Sequence, residues 1–287
     1  MPELPEVETV RRGLAPWLEG ARITNATLMR PDLRFPFPTG FSRALAGQTV
    51  TGVGRRAKYL LFGLSGGATW LSHLGMTGVF TVGGERLAET SRIDPVPAAD
   101  RHVHMRLSLE HPRHGALTLA YADPRRFGFM DLFGPGAHNR FIDPLGPEAL
   151  GNMFNALHLT DRLRGRRGPI KSALLDQRIV AGLGNIYVCE ALHGAGIAPT
   201  RAAGSLSPAE NEALVRAIVD VLEAAIAAGG STLSDFRDAG GKPGYFQHSF
   251  SVYGREDETC RRSGCTGTIA RLVQSGRSSF FCPVCQR

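Results

Sequence analysis

Apolar and polar positions alternate with different periods along the chain, and the changes of period mark the elements. Val7, Val10 and Leu14 recur at helical spacing behind Pro5, which suits a first helical turn. Glu6 and Glu8 in that turn complement the helix dipole, so the spacing predicts an N-terminal helix. From Ala21 to about Phe133 the chain reads as short strands. Apolar runs at 23–28, 49–53, 59–62, 68–71, 79–82, 103–107 and 117–121 are separated by Gly, Pro and Asp, the punctuation of a β-sandwich. Between Gly134 and Gly151 the composition turns to Gly, Pro and Asn and reads as a linker. Helical spacing then returns in Leu159-Leu163, Ile170-Leu174-Leu175, Ile186-Val188-Ala191-Leu192 and a long run from Pro208 to Ala228. From about Gln247 short strands reappear, carrying four cysteines. The expected fold class is α+β with more than one domain.

Composition narrows the class of partner. At 287 residues the chain is long enough for two domains with separate cores. Hydrophobic content is 43%, and no apolar run approaches a membrane span or a secretory core segment, so the expectation is a soluble, untargeted, intracellular protein with no membrane partner. A net charge of +7 and a pI near 9.5 suggest a polyanionic partner, although a generally basic protein would show the same balance. Only Lys58, Lys171 and Lys242 are lysines, against 30 arginines. A retained lysine hints at a task arginine cannot perform, such as losing a proton near neutral pH; chance retention is the other reading.

Candidate chemistry begins at the N-terminus. If Met1 is removed, which the small Pro2 behind it permits, the chain starts with a secondary amine followed directly by the Glu3 carboxylate. That is a nucleophile beside a proton carrier. A secondary amine attacking a sugar C1′ gives an iminium that cannot lose its charge by deprotonation. The same residues also read as ordinary capping of a helix start. Lys58 stands at the entry to an apolar strand, where a solvated edge lysine is the plain alternative. A helix from near Pro169 is expected to end at Gly182 and a second to start at Asn185, with glycines where the chain reverses. Helix starts of this kind offer backbone amides to phosphate. Cys189, on an apolar helix face, reads as core. Cys260 and Cys265, then Cys282 and Cys285, form two close pairs with sixteen residues between them. In an intracellular chain they fit one structural Zn2+ with four thiolate ligands and no catalytic opening. Between the pairs a hairpin is expected, with Arg277 at its exposed tip; a surface arginine on a turn is the plain alternative.

The opening Met1-Pro2-Glu3-Leu4-Pro5-Glu6-Val7-Glu8, the motifs His73-Leu74-Gly75-Met76-Thr77-Gly78, Asp123-Pro124-Arg125-Arg126-Phe127-Gly128 and Gly182-Leu183-Gly184-Asn185-Ile186-Tyr187, and the cysteine set resemble the bacterial formamidopyrimidine-DNA glycosylases nearly end to end. The resemblance implies a catalytic β-sandwich domain with its N-terminal helix over 1–137, a linker over 138–152, a helix-two-turns-helix DNA-binding domain over 153–246 and a four-cysteine zinc finger over 247–287. It implies a bifunctional glycosylase and abasic-site lyase that excises 8-oxoguanine and formamidopyrimidines through a Schiff base at Pro2, with Glu3, Lys58 and Arg277 assisting. Met76, Arg125 and Phe127 would fill the gap left by an extruded base. His73, His102, Arg166 and Asn185 would contact DNA, mostly at phosphates, and the glycine-rich stretch 229–246 would close over the flipped base. Two departures stand out. The first cysteine pair has four intervening residues where the family usually has two, and Arg101-His102-Val103-His104-Met105 replaces the expected Lys-His-Asp-His-Val. A monomer in the bacterial cytoplasm, on the nucleoid when bound to double-stranded DNA, is expected, with no redox cofactor or catalytic metal. The alternatives are the pyrimidine-directed branch of the same superfamily and a non-catalytic zinc-containing DNA clamp.

Overall fold

The N-terminal helix, α1 (Leu4–Leu18), forms at the predicted place, with Pro5 in its first turn and Leu4, Val7, Val10, Leu14 and Leu18 on one buried face. That face covers a core shared with two antiparallel sheets. In chain order the strands are β1 (Arg22–Leu28), β2 (Val50–Arg56), β3 (Tyr59–Leu64), β4 (Thr69–His73), β5 (Val79–Gly83), β6 (Val103–His111), β7 (Gly115–Ala122) and β8 (Phe129–Phe133), with a short helix α2 (Phe41–Leu45) after β1. One sheet has the order β1-β6-β7-β5 and the other β2-β3-β4-β8. β3 shows why the alternation matters: Leu60, Phe62 and Leu64 face the core while the residues between them are only half-buried. Phe62 stacks on Trp70 of the neighbouring strand at 4.1 Å between ring centroids, and both rings are fully buried.

The computed structural model describes residues 2–83, 100–231 and 244–287. They divide into one unit of residues 1–140 with 229–245 and another of 141–228 with 246–287. The chain thus leaves the first unit at Arg140 and returns to it at Gly229.

The second unit contains α3 (Ala156–Leu163), α4 (Ile170–Leu174), α5 (Asn185–Ala195), α6 (Pro208–Ala227) and the hairpin β9 (Ala270–Gln274) and β10 (Arg277–Phe281). Ser207 and Glu210 form a capping box at the start of α6, with Pro208 in its first turn. α5 is central and buried nearly all round from Ile186 to His193. α4 is much shorter than the Pro169–Gly182 helix the apolar spacing predicts, and ends at Leu174. The reason is the Gln177 side chain, which donates to the Leu175 and Leu183 carbonyls and accepts from the Gly182 amide, bracing two non-helical turns. Gly182, at φ +100, takes a conformation that L side chains rarely adopt.

Candidate functional site

The first unit concentrates the N-terminal candidates. Pro2 is buried and Glu3 is only 3% exposed. One carboxylate fixes both ends of this region: Glu6 Oε2 accepts from the Glu3 amide (2.8 Å), while Oε1 accepts from the amide (2.8 Å) and hydroxyl (3.0 Å) of Ser231. Gly230 is needed beside it, since its φ is +80 and an added Cβ would press on Glu6 at 3.1 Å. Glu8, two residues on, pairs with Arg11, Arg12 and Arg55 and so ties α1 to β2. Burial pushes its carboxyl up, but those arginines outweigh it and hold the group below the usual range.

Lys58 occupies the second position of the two-residue turn between the paired Arg56 and Tyr59. It is 8% exposed, unusual for a lysine at a hairpin tip. The residue before it, Ala57, has φ +51, a conformation that favours glycine. Arg55 Nη1 donates to the Ala57 carbonyl at 2.8 Å and holds that turn. Across the sheet, His73 is paired with Tyr59 and stacks on Phe129 at 5.2 Å. Burial, then the positive charges of Lys58 and Arg34, push His73 down to about 4, so the imidazole is neutral at physiological pH. Its Nδ1 accepts from the Gly75 amide (3.1 Å), which leaves the proton on Nε2 as a donor.

Two loops, 74–78 and 123–128, present the exposed apolar side chains Met76 (38%) and Phe127 (46%). The Arg125 guanidinium lies over the Phe127 ring at 5.2 Å. Asp123, fully buried, organises both loops. Its Oδ1 accepts from Thr77 Oγ1 (2.5 Å) and its Oδ2 from the Gly128 amide (2.8 Å) and the Tyr121 hydroxyl (3.4 Å). Burial, then the Asp123 charge, raises the Tyr121 phenol and keeps it protonated as the donor. Gly75 and Gly128 pack backbone to backbone: a Cβ on Gly75 would lie 2.3 Å from the Gly128 nitrogen. Beside these loops a cavity of about 520 Å³ is lined by Asp32, Leu33, Arg34, Arg125, Arg126 and Phe127. His102 ends a short 3-10 turn and is half-buried, whereas His104 is buried with Nε2 2.8 Å from the Asp123 carbonyl. Residues 232–243, which include Lys242 and most of the glycine-rich stretch singled out above, lie outside the described residues.

The second unit carries the rest. Asn185, the first residue of α5, donates from Nδ2 to the Ser278 carbonyl (2.9 Å) and to the Tyr253 hydroxyl (3.3 Å). Lys171, 1% exposed, donates to the same carbonyl (2.9 Å) and to Ser279 Oγ (2.6 Å). Both side chains therefore grip β10 immediately after Arg277, which is exposed beyond the Ser275-Gly276 turn. Arg166 is exposed, its Nε donating to the Arg162 carbonyl. Periodicity alone does not reveal Lys171, Asp123, Thr77 or Glu190, whose roles depend on contacts distant in sequence; for Lys171 the scarcity of lysine is the one signal.

The four cysteine sulfurs lie within 4.8 Å of one another. Cys260 and Cys285 are 3.8 Å apart and Cys265 and Cys282 3.6 Å apart, close to the edge of about 3.8 Å expected for four thiolates at about 2.3 Å from a tetrahedral Zn2+. The donor set fits one structural zinc ion. Cys189 is buried against the cluster without being part of it. Glu190 accepts from the amides of Ser251, Val252 and Tyr253, which pins the approach to the zinc module onto α5.

Three family models match the chain. The formamidopyrimidine-DNA glycosylase N-terminal domain covers residues 1–130, the H2TH domain of the same family 145–237, and a zinc finger found in these proteins and in isoleucyl-tRNA synthetase 257–287. Curated formamidopyrimidine-DNA glycosylases of Ruegeria pomeroyi and Cereibacter sphaeroides are 56% and 55% identical, each over the full length of both chains. Among solved structures, the MutM (Fpg) protein of Thermus thermophilus aligns over 99% of this chain and 98% of its own at TM-score 0.83 and 38% identity. The Lactococcus lactis Fpg, solved with abasic-site DNA, aligns over all of both chains at TM-score 0.85 and 33% identity.

Proposed function

The chain belongs to the formamidopyrimidine-DNA glycosylase family of DNA-repair enzymes, and from that premise we propose that it excises 8-oxoguanine and formamidopyrimidines from double-stranded DNA and then cuts the strand at the abasic site. The observation that carries the reading is the pair Pro2 and Glu3, buried together at the start of α1 and held there by Glu6. A relative, the Lactococcus lactis protein, is known in complex with DNA containing Fapy-dG, which supports the choice of lesion.

With Met1 removed, the Pro2 nitrogen attacks C1′ of the damaged nucleotide and the bond from C1′ to the base breaks, the base leaving with a proton. Glu3 manages the protons at the sugar, and Lys58, also buried, serves transfer to and from the departing group. Pro2 then gives up its proton and the C1′–O4′ bond opens, with Glu3 passing a proton to O4′; the resulting iminium draws electrons from C2′, so loss of a C2′ proton expels the 3′ phosphate. Loss of a C4′ proton then expels the 5′ phosphate, with Arg277 assisting, and a one-nucleoside gap remains. Extruding the base costs a few kcal/mol of stacking and pairing, least at a damaged base, and Met76, Arg125 and Phe127 occupy the space it leaves. His73, His102, Arg166 and the backbone amide of Asn185 at the start of α5 hold phosphates, which fixes position without reading sequence. Cys260, Cys265, Cys282 and Cys285 would hold a zinc ion, which would supply structural support to the hairpin that carries Arg277. The enzyme works as a cytoplasmic monomer.

The test is borohydride reduction during reaction with a duplex carrying 8-oxoguanine opposite cytosine. A covalent protein-DNA adduct and a cut strand are expected, and Pro2→Gly abolishes the adduct. Binding without cutting would make the chain a clamp; faster excision of thymine glycol would move it to the pyrimidine-directed branch; trapping unchanged in Pro2→Gly would remove Pro2 from its role.

A further inference from the structure

Thr77 and Asp123 make no contact that the proposed chemistry needs, yet they join the two loops that carry its exposed side chains. The Thr77 hydroxyl donates to Asp123 Oδ1 (2.5 Å) and accepts from the Arg125 amide (3.2 Å), so one side chain of the Met76 loop is bonded to both the base and the tip of the Arg125 loop. Asp123 is fully buried, and three donors meet its carboxylate, from Thr77, Gly128 and Tyr121. Its backbone carbonyl accepts from the Arg126 amide (3.1 Å) and lies 2.8 Å from His104 Nε2, and its amide donates to the His102 carbonyl (3.0 Å). The glycines complete the joint. A Cβ on Gly128 would lie 1.9 Å from the Tyr121 hydroxyl oxygen, and one on Gly78 would lie 2.4 Å from the same atom. Neither loop can shift alone without breaking a buried, charge-assisted hydrogen bond or forcing backbone into backbone.

We propose that Thr77 and Asp123 are positioning residues that interlock the Met76 loop with the Arg125 and Phe127 loop, so that the three side chains enter a duplex as one rigid wedge. The proposal rests on the glycosylase reading and extends it. A base stack resists entry by a few kcal/mol per unstacked step. Two loops that moved independently would each lose conformational freedom on insertion, on top of that resistance. Joined beforehand, they lose it once, in folding, and the insertion is preorganised.

The experiment compares the full-length wild type, T77V and T77S on two substrates: a duplex with 8-oxoguanine opposite cytosine, and a single-stranded oligonucleotide with an abasic site, which has no paired stack to enter. Single-turnover rates give a duplex-to-single-strand ratio. T77V, which keeps the shape and loses both hydrogen bonds, is expected to lower that ratio about tenfold, and T77S to restore it to within about twofold. A 2-aminopurine beside the lesion, which brightens on unstacking, is expected to report slower insertion in T77V. In a second measurement, the effects of M76A and F127A on the ratio are expected to be strongly non-additive in the wild-type background and additive in T77V. A T77V ratio equal to the wild type overturns the interlock and leaves the glycosylase reading standing, as does additivity in both backgrounds. Equal losses on both substrates also overturn it, because they report general damage. A wild type that cuts neither substrate overturns both.

Discussion

Glu6 in the first turn of α1 holds Ser231, 225 positions later, through two hydrogen bonds to a single carboxylate oxygen, while its other oxygen holds the Glu3 amide. The position of the N-terminal dipeptide and the position of the glycine-flanked segment at 229–231 are therefore set by the same group. Whatever displaces one displaces the other.

Glu6→Gln tests this joint. The amide keeps the shape but turns one acceptor into a donor, which must face either the Glu3 amide or the Ser231 donors. A buried donor set against a donor costs about 1–3 kcal/mol. For a protein of this size that lowers Tm by roughly 2–4 °C per kcal/mol. A melting curve superimposable on the wild type would show that the carboxylate does not hold the segment.

His73 gives the protein a defined acid sensitivity. Its folded value of about 4 lies below the ordinary 6.5, so the folded state binds fewer protons than the unfolded state between those limits. The stability from this residue is whole above pH 6.5 and is lost as pH falls through about 4, amounting to about 3 kcal/mol. Urea denaturation at pH 7 and at pH 4.5 should show the wild type losing more stability than His73→Gln. An NMR titration of the imidazole with a midpoint near 6.5 would contradict the burial argument.

Removal of zinc should unfold the C-terminal module rather than merely loosen it. Without a cation the four cysteines take up protons and lose the bonds that join the two pairs, and the buried apolar residues around them, Val252 and Ile269, are too few to close a core. Metal analysis should return one zinc per chain, and Cys282→Ser should lose it. Under chelation, hydrogen exchange over residues 257–287 should rise to the rate of an open chain; protection retained there would mean the fold stands without the ion.

Lys171→Met replaces a buried ammonium by a group of similar length that cannot donate. The Ser278 carbonyl keeps its bond from Asn185, and the Ser279 hydroxyl keeps Gln274 as its acceptor. The expected loss is thus about 1–3 kcal/mol, less than a fully orphaned network would cost. Exchange at the β10 amides should rise together with the fall in Tm. If strand scission after base release also slows, the grip of Lys171 on β10 matters for Arg277; a stability loss with unchanged scission would confine the lysine to folding.

Much of the architecture was legible because it is local. The strand at 59–62 declares itself as a short apolar run, α1 by Pro5 and its apolar stripe, and the zinc module by two cysteine pairs, since in each case neighbours in sequence carry the signal. The segment after Pro169, helical only to Leu174, shows the limit. Ile179 and Val180 continue an apolar pattern that suits a helix, but both are fully buried in turns that Gln177 stabilises by hydrogen bonds to backbone, a use of a side chain that periodicity does not encode. β8 carries no local signal for a related reason: its residues show no alternation, and its pairing with β4 comes from a strand some sixty positions earlier. At the candidate site, the sequence points to the exposed ends of the two loops, Met76 and Phe127, because apolar side chains beside glycine are conspicuous. Asp123 sits in the same motif and passes for a turn residue until Thr77 is found against it.

The return of residues 229–245 to the first unit bears on how the protein is made. A nascent chain emerging from the ribosome presents the β-sheets and α1 early, but Glu6 finds Ser231 only after the whole of α6 has been translated. At about 5–20 residues per second, the N-terminal dipeptide waits on the order of 10–45 seconds for its clasp. Synthesis order therefore delays assembly of this end of the molecule until the helices of the second unit have left the tunnel, and a polypeptide stopped at Arg140 lacks that clasp altogether.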